Sequence, residues 1–149
     1  MNKYFMYFSV TGNGDFLANE LAKKGYIPVK IELVKPIKKV NFWMILHYGG
    51  RAMFKKKEKI KELNLELQED DLVVVGSPIW NDLLSTPVLT ALGKVSLNKE
   101  TTKFILYPAG EGTKKSLEQI KKLGYSGETI VIQHPLKYEE KALELISNL

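Results

Sequence analysis

Tyr4-Phe5-Met6-Tyr7-Phe8-Ser9-Val10-Thr11-Gly12-Asn13-Gly14-Asp15-Phe16-Leu17-Ala18-Asn19-Glu20-Leu21 is the stretch whose reading decides the fold. Tyr4 to Phe8 is short, aromatic and almost wholly apolar, which suits a parallel strand covered on both faces. Beyond the break a helix resumes: Phe16, Leu17, Glu20 and Leu21 are expected to pack back on the strand, with Asn19, Lys23 and Lys24 outward. Between the two lie two hydroxyls, two glycines and an asparagine, residue types that let backbone amides converge at a helix start and bind an anion. The plainer alternative is a strand-to-helix turn whose polar residues only cap the helix.

The loop is neither of two familiar phosphate motifs. No Gly-Lys-Ser/Thr closes it, and the G-x-G-x-x-G spacing is absent. A hydroxyl-rich loop without lysine neutralises little charge, so Ser9, Val10, Thr11, Gly12, Asn13 and Gly14 are expected to hold one terminal phosphate monoester through amides and hydroxyls. That points to a mononucleotide.

The chain has 149 residues, 44% of them hydrophobic, the size of one ordinary domain with a substantial core. It has no cysteine, which excludes disulfides, cysteine-ligated clusters and thiol catalysis. No basic segment precedes a long apolar run at the start, and no apolar stretch approaches the roughly 18 to 20 residues of a membrane span. The expectation is a cytoplasmic protein with no membrane span.

Further along, strand and helix alternate. Gly25 stops the first helix, and Tyr26 to Leu33 reads as a second strand whose polar positions and Pro28 suit a sheet edge. Leu72 to Val75, Lys103 to Tyr107 and Glu128 to Gln133 read as the third, fourth and fifth strands, with helices at Thr86 to Gly93, Lys114 to Leu123 and Tyr138 to Leu149. Such alternation predicts an α/β fold with a five-stranded parallel sheet and helices on both faces; with a phosphate loop after strand one, the order expected for it is 2-1-3-4-5. Ligands then bind at the switch between strands one and three, so the loops after strands one, three and four should meet at one site.

The first loop resembles that of the flavodoxins, whose phosphate loop reads Ser/Thr-x-Thr-Gly-Asn-Thr after the first strand; Ser9, Thr11, Gly12 and Asn13 match it. Gly14 departs from it by removing a hydroxyl, and Asp15 places a carboxylate nearby that could cap the helix. Gly76-Ser77-Pro78-Ile79-Trp80-Asn81-Asp82 resembles the segment that packs on the isoalloxazine ring in small flavodoxin-like proteins, with Ser85-Thr86-Pro87 starting the next helix. The third loop, Tyr107-Pro108-Ala109-Gly110-Glu111-Gly112-Thr113, keeps two glycines for close approach to a flat ligand but has Ala109 where the family commonly has Gly or an aromatic. The second ring face is then open, or covered by Tyr107 or from elsewhere in the chain. The resemblance implies FMN as cofactor, held by Ser9 to Gly14, by Ser77, Pro78, Ile79, Trp80 and Asn81, and by Ala109, Gly110, Glu111 and Gly112. With Asp82 or Glu111 near the ring, it also implies a low potential for the flavin's second electron.

Lys35 to Lys61 differs from that pattern. It carries nine basic residues and one acid, whereas the chain as a whole has a net charge of +5. Within it, Asn41-Phe42-Trp43-Met44-Ile45-Leu46-His47-Tyr48-Gly49-Gly50 is aromatic and apolar, read as one or two short helices capped by Asn41 in place of the usual second helix. The segment is a surface face over sheet-packed aromatics, a lid, or a docking patch for acidic redox partner proteins. No motif points to nucleic acid, and neither His47 nor His134 has the neighbours of a catalytic or metal site. The expectation is an FMN-binding flavodoxin-like electron carrier; the alternatives are an FMN-dependent NAD(P)H:quinone-type oxidoreductase, or a module of the same fold that no longer holds flavin.

Overall fold

Alternate residues of the opening strand face opposite ways, and that alternation builds the two halves of the core. Tyr4, Met6 and Phe8 join one apolar cluster, and Phe5 and Tyr7 join the other. The computed structural model describes residues 1–36, 59–110 and 112–149. In chain order they form β1 (Lys3–Tyr7), α1 (Asn13–Ala22), β2 (Tyr26–Lys30), β3 (Leu72–Trp80), β4 (Leu83–Leu84), α2 (Thr86–Lys94), β5 (Lys103–Pro108), α3 (Lys114–Lys122), β6 (Thr129–Val131) and α4 (Glu139–Leu145).

The sheet runs β2-β1-β3-β5-β6, every neighbouring pair parallel, with β4 turned antiparallel onto β3. This is the expected order, with one short strand added. Leu17, Ala18 and Leu21 of α1 and Ala142 of α4 lie against Phe5, Val74 and Ile105 on one face. Val88 and Ala91 of α2 and Ile120 of α3 lie against Met6, Val75 and Leu106 on the other. Both faces are therefore covered by helices, which is why β1 reads as an unbroken apolar run.

Two expectations need correction. In α1 Ala18 is buried along with Leu17 and Leu21, whereas Glu20 is only half-buried and pairs with Lys23 at 2.6 Å; a small residue lets the helix lie close to the strand. The third strand continues past Val75 to Trp80 because Gly76 is a notch and not a turn. A Cβ there would stand 2.6 Å from Phe5 Cζ, so the ring of the neighbouring strand occupies the space that a side chain would need. Pro78 is tolerated because β1 pairs with β3 only as far as Gly76, leaving no partner on that side to miss its amide hydrogen. Asn81 and Asp82, both with positive φ (51° and 64°), then form a two-residue turn that sends β4 back along β3. Positive φ at both turn residues is what a tight hairpin requires.

The basic segment leaves and rejoins the fold at one place. Leu33 bridges Ile60, Val34 N–H donates to the Lys59 carbonyl at 3.0 Å, and Lys61 N–H to the Glu32 carbonyl at 2.7 Å. The expected helix at Asn41 and most of the proposed lid or docking patch lie outside the described residues. Among the described residues, no helix is long and apolar enough to cross a membrane.

At the far end of the sheet Asp71 is buried, accepting the N–H of Asn2 at 2.7 Å and of Gln68 at 2.8 Å. These bonds, that to Asn2 first, hold its carboxyl below its ordinary value of 3.8. A carboxyl lowered in the folded state stabilises above its unfolded pKa, and the contribution is lost as pH falls through the folded one. Asp71→Asn is therefore expected to lower Tm at pH 7, with the gap to the wild type closing as pH falls below about 4. A gap that stays constant down to pH 2, measured by thermal scans, contradicts this.

Candidate functional site

The loops after β1 and β5 and the β3–β4 hairpin meet at the carboxyl ends of the strands, where the strand order reverses between β1 and β3. They enclose a cleft of about 240 Å³ lined by Val10, Thr11, Asn13, Pro78, Ile79, Trp80, Asn81, Asp82, Tyr107, Pro108, Ala109, Gly110 and Gly112. Ten residues named from the sequence are thus brought together, and Asp82, Tyr107 and Pro108 join them.

The remaining named residues support this wall or stand beside it. Ser77 is buried and accepts the Ser85 N–H at 3.1 Å, with its own hydroxyl 3.1 Å from Ser85 Oγ and donating to the Pro78 carbonyl. It fastens the end of β3 to the start of α2 instead of facing the cleft. Ser9 Oγ accepts the Gly14 N–H at 3.1 Å, arching the loop. Glu111 lies outside the described residues.

The start of α1 has the shape of an anion site. Gly12 is its N-cap, in the left-handed region at φ 92°, and no side chain caps it from that position. Thr11 and Asn13 flank it: Asn13 Nδ2 donates to Thr11 Oγ1 at 3.2 Å, while Asn13 Oδ1 accepts the Leu136 N–H at 3.1 Å. Asp15 does not cap the helix. Its Oδ1 takes Tyr7 OH at 3.0 Å and Lys30 Nζ at 2.8 Å, so the carboxylate beside the loop is already partnered by β1 and β2. Tyr7 OH is pushed above its ordinary value by burial first and by the Asp15 bond second, so it stays a donor.

Gly14 has a steric reason. A Cβ there would stand 2.7 Å from Tyr107 OH and 2.9 Å from both Ser9 Cβ and Tyr7 Cδ2. The volume of a side chain at 14 is already filled by two tyrosines.

The opposite wall carries the aromatic surface. Phe8 and Trp80 meet edge to face, with centroids 5.7 Å apart and planes at 87°. The indole is thus both a core contact and part of the cleft. At the tip of the hairpin two buried polar atoms, Asn81 Nδ2 and Asp82 Oδ1, have no hydrogen-bond partner among the described residues. Buried polar groups are seldom left unpaired, so one donor and one acceptor here are open to a ligand. Polar groups at one end, an aromatic wall at the other and backbone glycines opposite make a set of donors and surfaces that fits a phosphorylated, flat, heteroaromatic group.

His134 lies just past the end of β6. It has φ 43°, its N–H donates to the Pro108 carbonyl at 3.3 Å, and its Nε2 lies 2.7 Å from the Ala109 oxygen. It braces the third loop from behind. Nothing in the linear pattern marks that role, because its partner is 25 residues away. Among the described residues, no group of three or more His, Cys, Asp or Glu is placed to hold a metal ion.

No protein-family model matches the chain, and no curated protein is significantly similar to it in sequence. Solved structures are. A provisionally assigned flavoprotein from Bacteroides eggerthii superposes with a TM-score of 0.69 at 22% identity, over 99% of each chain. A flavoprotein from Lactobacillus acidophilus in complex with FMN superposes with a TM-score of 0.64 at 16% identity, over 95% of this chain and 98% of that one. The apo-form of the flavoprotein from Lactobacillus acidophilus gives 0.64 at 17% identity, over 93% and 95%. At such identities the shared property is architecture, and it extends over nearly the whole length: this chain has the α/β fold of these flavoproteins.

Proposed function

We propose that the protein binds FMN non-covalently in the cleft and passes electrons between partner proteins. The observation that carries this reading is the meeting of Thr11, Trp80 and Gly110, from three separate segments, at one cleft. The loop at Ser9 to Gly14 would hold the phosphate, with Thr11 and the start of α1 as donors. Trp80 and the hairpin tip would bound the ring, and Ala109, Gly110 and Gly112 would let it approach the backbone. The crystallised complex of a like-folded flavoprotein with FMN supports the choice of ligand.

FMN supplies the electron chemistry when bound; the chain fixes it, shields part of it from water and sets the charge around it. Asp82 is the charged residue among the described residues lining the cleft, and its Oδ1 is buried with no hydrogen-bond partner among them. A cleft of about 240 Å³ lies just below the range of about 300–1,000 Å³ typical of small-molecule sites, so a planar ligand would keep an edge in solvent. That suits exchange of electrons with a docked protein. The basic segment from Lys35 to Lys61 fits an acidic redox partner, attracted by charge.

Titration of the purified protein with FMN is expected to quench flavin fluorescence with one-to-one stoichiometry. No uptake would leave a flavodoxin-like fold without flavin as the correct reading. Steady-state oxidation of NADH or NADPH by the FMN-loaded protein would shift the assignment to an oxidoreductase. Reduction rates by an acidic partner that do not change with ionic strength would remove the docking role of the basic segment.

A further inference from the structure

Tyr107 connects the two halves of the cleft. Its ring lines the wall on the β5 side, while its hydroxyl donates to the Phe8 carbonyl, at the root of the loop that begins with Ser9. The same hydroxyl fills the notch at Gly14, 2.7 Å from where a Cβ would stand. Ser9 Oγ and the Gly14 N–H close the loop from above, and Tyr107 closes it from below. The side chain is 3% exposed, and burial, then Tyr7 and Asp15, push its phenol well above its ordinary value. It therefore stays protonated and keeps its single donor on Phe8.

We propose that Tyr107 is a positioning residue for phosphate recognition: from β5 it fills the Gly14 notch and holds the Phe8 carbonyl, fixing the loop in the shape that accepts a phosphate monoester. The inference rests on the flavin reading above and deepens it. A loop shaped in advance loses less freedom on binding, so the contribution appears as affinity for the phosphorylated ligand. Riboflavin has the same ring without the phosphate and should not sense the loop. Tyr107 acts through Phe8 and Gly14 and need not touch the ligand.

The test compares FMN and riboflavin binding to the wild-type protein and to Tyr107→Phe, by fluorescence. Losing one buried hydrogen bond is expected to weaken FMN about tenfold and riboflavin by less than about twofold. Replacing Tyr107 by 4-aminophenylalanine, which keeps a donor at the same ring position, should restore most of the FMN affinity. Should Tyr107→Phe fail to fold, Tyr107→4-methylphenylalanine fills the notch without donating and takes its place beside the 4-amino variant. Equal losses for both ligands, or an unchanged FMN affinity, overturn the inference and leave Tyr107 as a packing residue. A wild-type protein that takes up neither ligand overturns the flavin reading, and this inference with it.

Discussion

Gly14→Ala is expected to cost the protein both stability and most of its FMN affinity. The new methyl would lie within 3.0 Å of Tyr107 OH, Ser9 Cβ and Tyr7 Cδ2, three atoms belonging to the loop and to two core strands. None is the free end of a flexible chain, because Tyr107 is bound to Phe8 and Tyr7 to Asp15. Overpacking of this kind costs about 1–3 kcal/mol, which corresponds to a fall in Tm of about 2–12 °C for a chain of this size. Relief can come only if the loop lifts away, which breaks the Gly14 N–H bond to Ser9 and splays the amides at the start of α1. Losing two charge-assisted contacts to a phosphate would weaken FMN about a hundredfold or more. Gly110→Ala is the matched control. No atom of the described residues lies within 4 Å of its Cβ position and its φ is not positive, so Tm should be unchanged. A Gly14→Ala protein that melts and binds like the wild type would mean that the two tyrosines do not fill the notch in solution.

Asp82→Asn is expected to raise both the melting temperature of the empty protein and the redox potential of the loaded one. Asp82 sits at φ 64° in the hairpin turn, with Oδ1 buried, unpartnered and 3.5 Å from where a Cβ on Gly112 would stand. A carboxylate oxygen held without a donor lowers stability. Asparagine keeps the shape, tolerates a positive φ and removes the charge, so Tm of the apo-protein should rise by about 2–4 °C. In the loaded protein a fixed negative charge in a partly enclosed cleft opposes addition of an electron. At an effective dielectric constant of about 20, a charge roughly 8–16 Å away contributes about 1–2 kcal/mol. The variant's potential should therefore move upward in a redox titration. A lower apo Tm would show that Oδ1 has a donor in solution, and an unmoved potential would remove Asp82 from the electrostatics of the site.

The features legible in the sequence share a local cause. Tyr4 to Phe8 had to be a buried parallel strand because it offers no polar face, and Pro28 marked β2 as an edge because it cannot donate on both sides. Alternation of such strands with helices was enough for a parallel sheet covered on both faces, and the phosphate-type loop after the first strand, with the resemblance it carries, pointed to the strand order. The Thr11-Gly12-Asn13 turn was visible for the same reason: backbone freedom and short polar side chains act within a few residues. The misread positions depend on contacts made at long range. Gly76 looked like the end of a strand, yet it is a strand residue that makes room for Phe5 of the neighbouring strand. Asp15 looked free to cap α1, yet Lys30 and Tyr7 claim it.

What the linear sequence determined by itself is the layered α/β architecture and three turns destined for one end of the sheet, because periodicity and turn chemistry are written into neighbouring residues. Which atoms face the cleft was decided only when the strands came into register. Register placed Tyr107 under Gly14, turned Ser77 inward to Ser85, and left Asn81 and Asp82 with a donor and an acceptor unclaimed. Those outcomes depend on which residues stand opposite one another across the sheet, and such pairings are made in space between segments far apart in the chain.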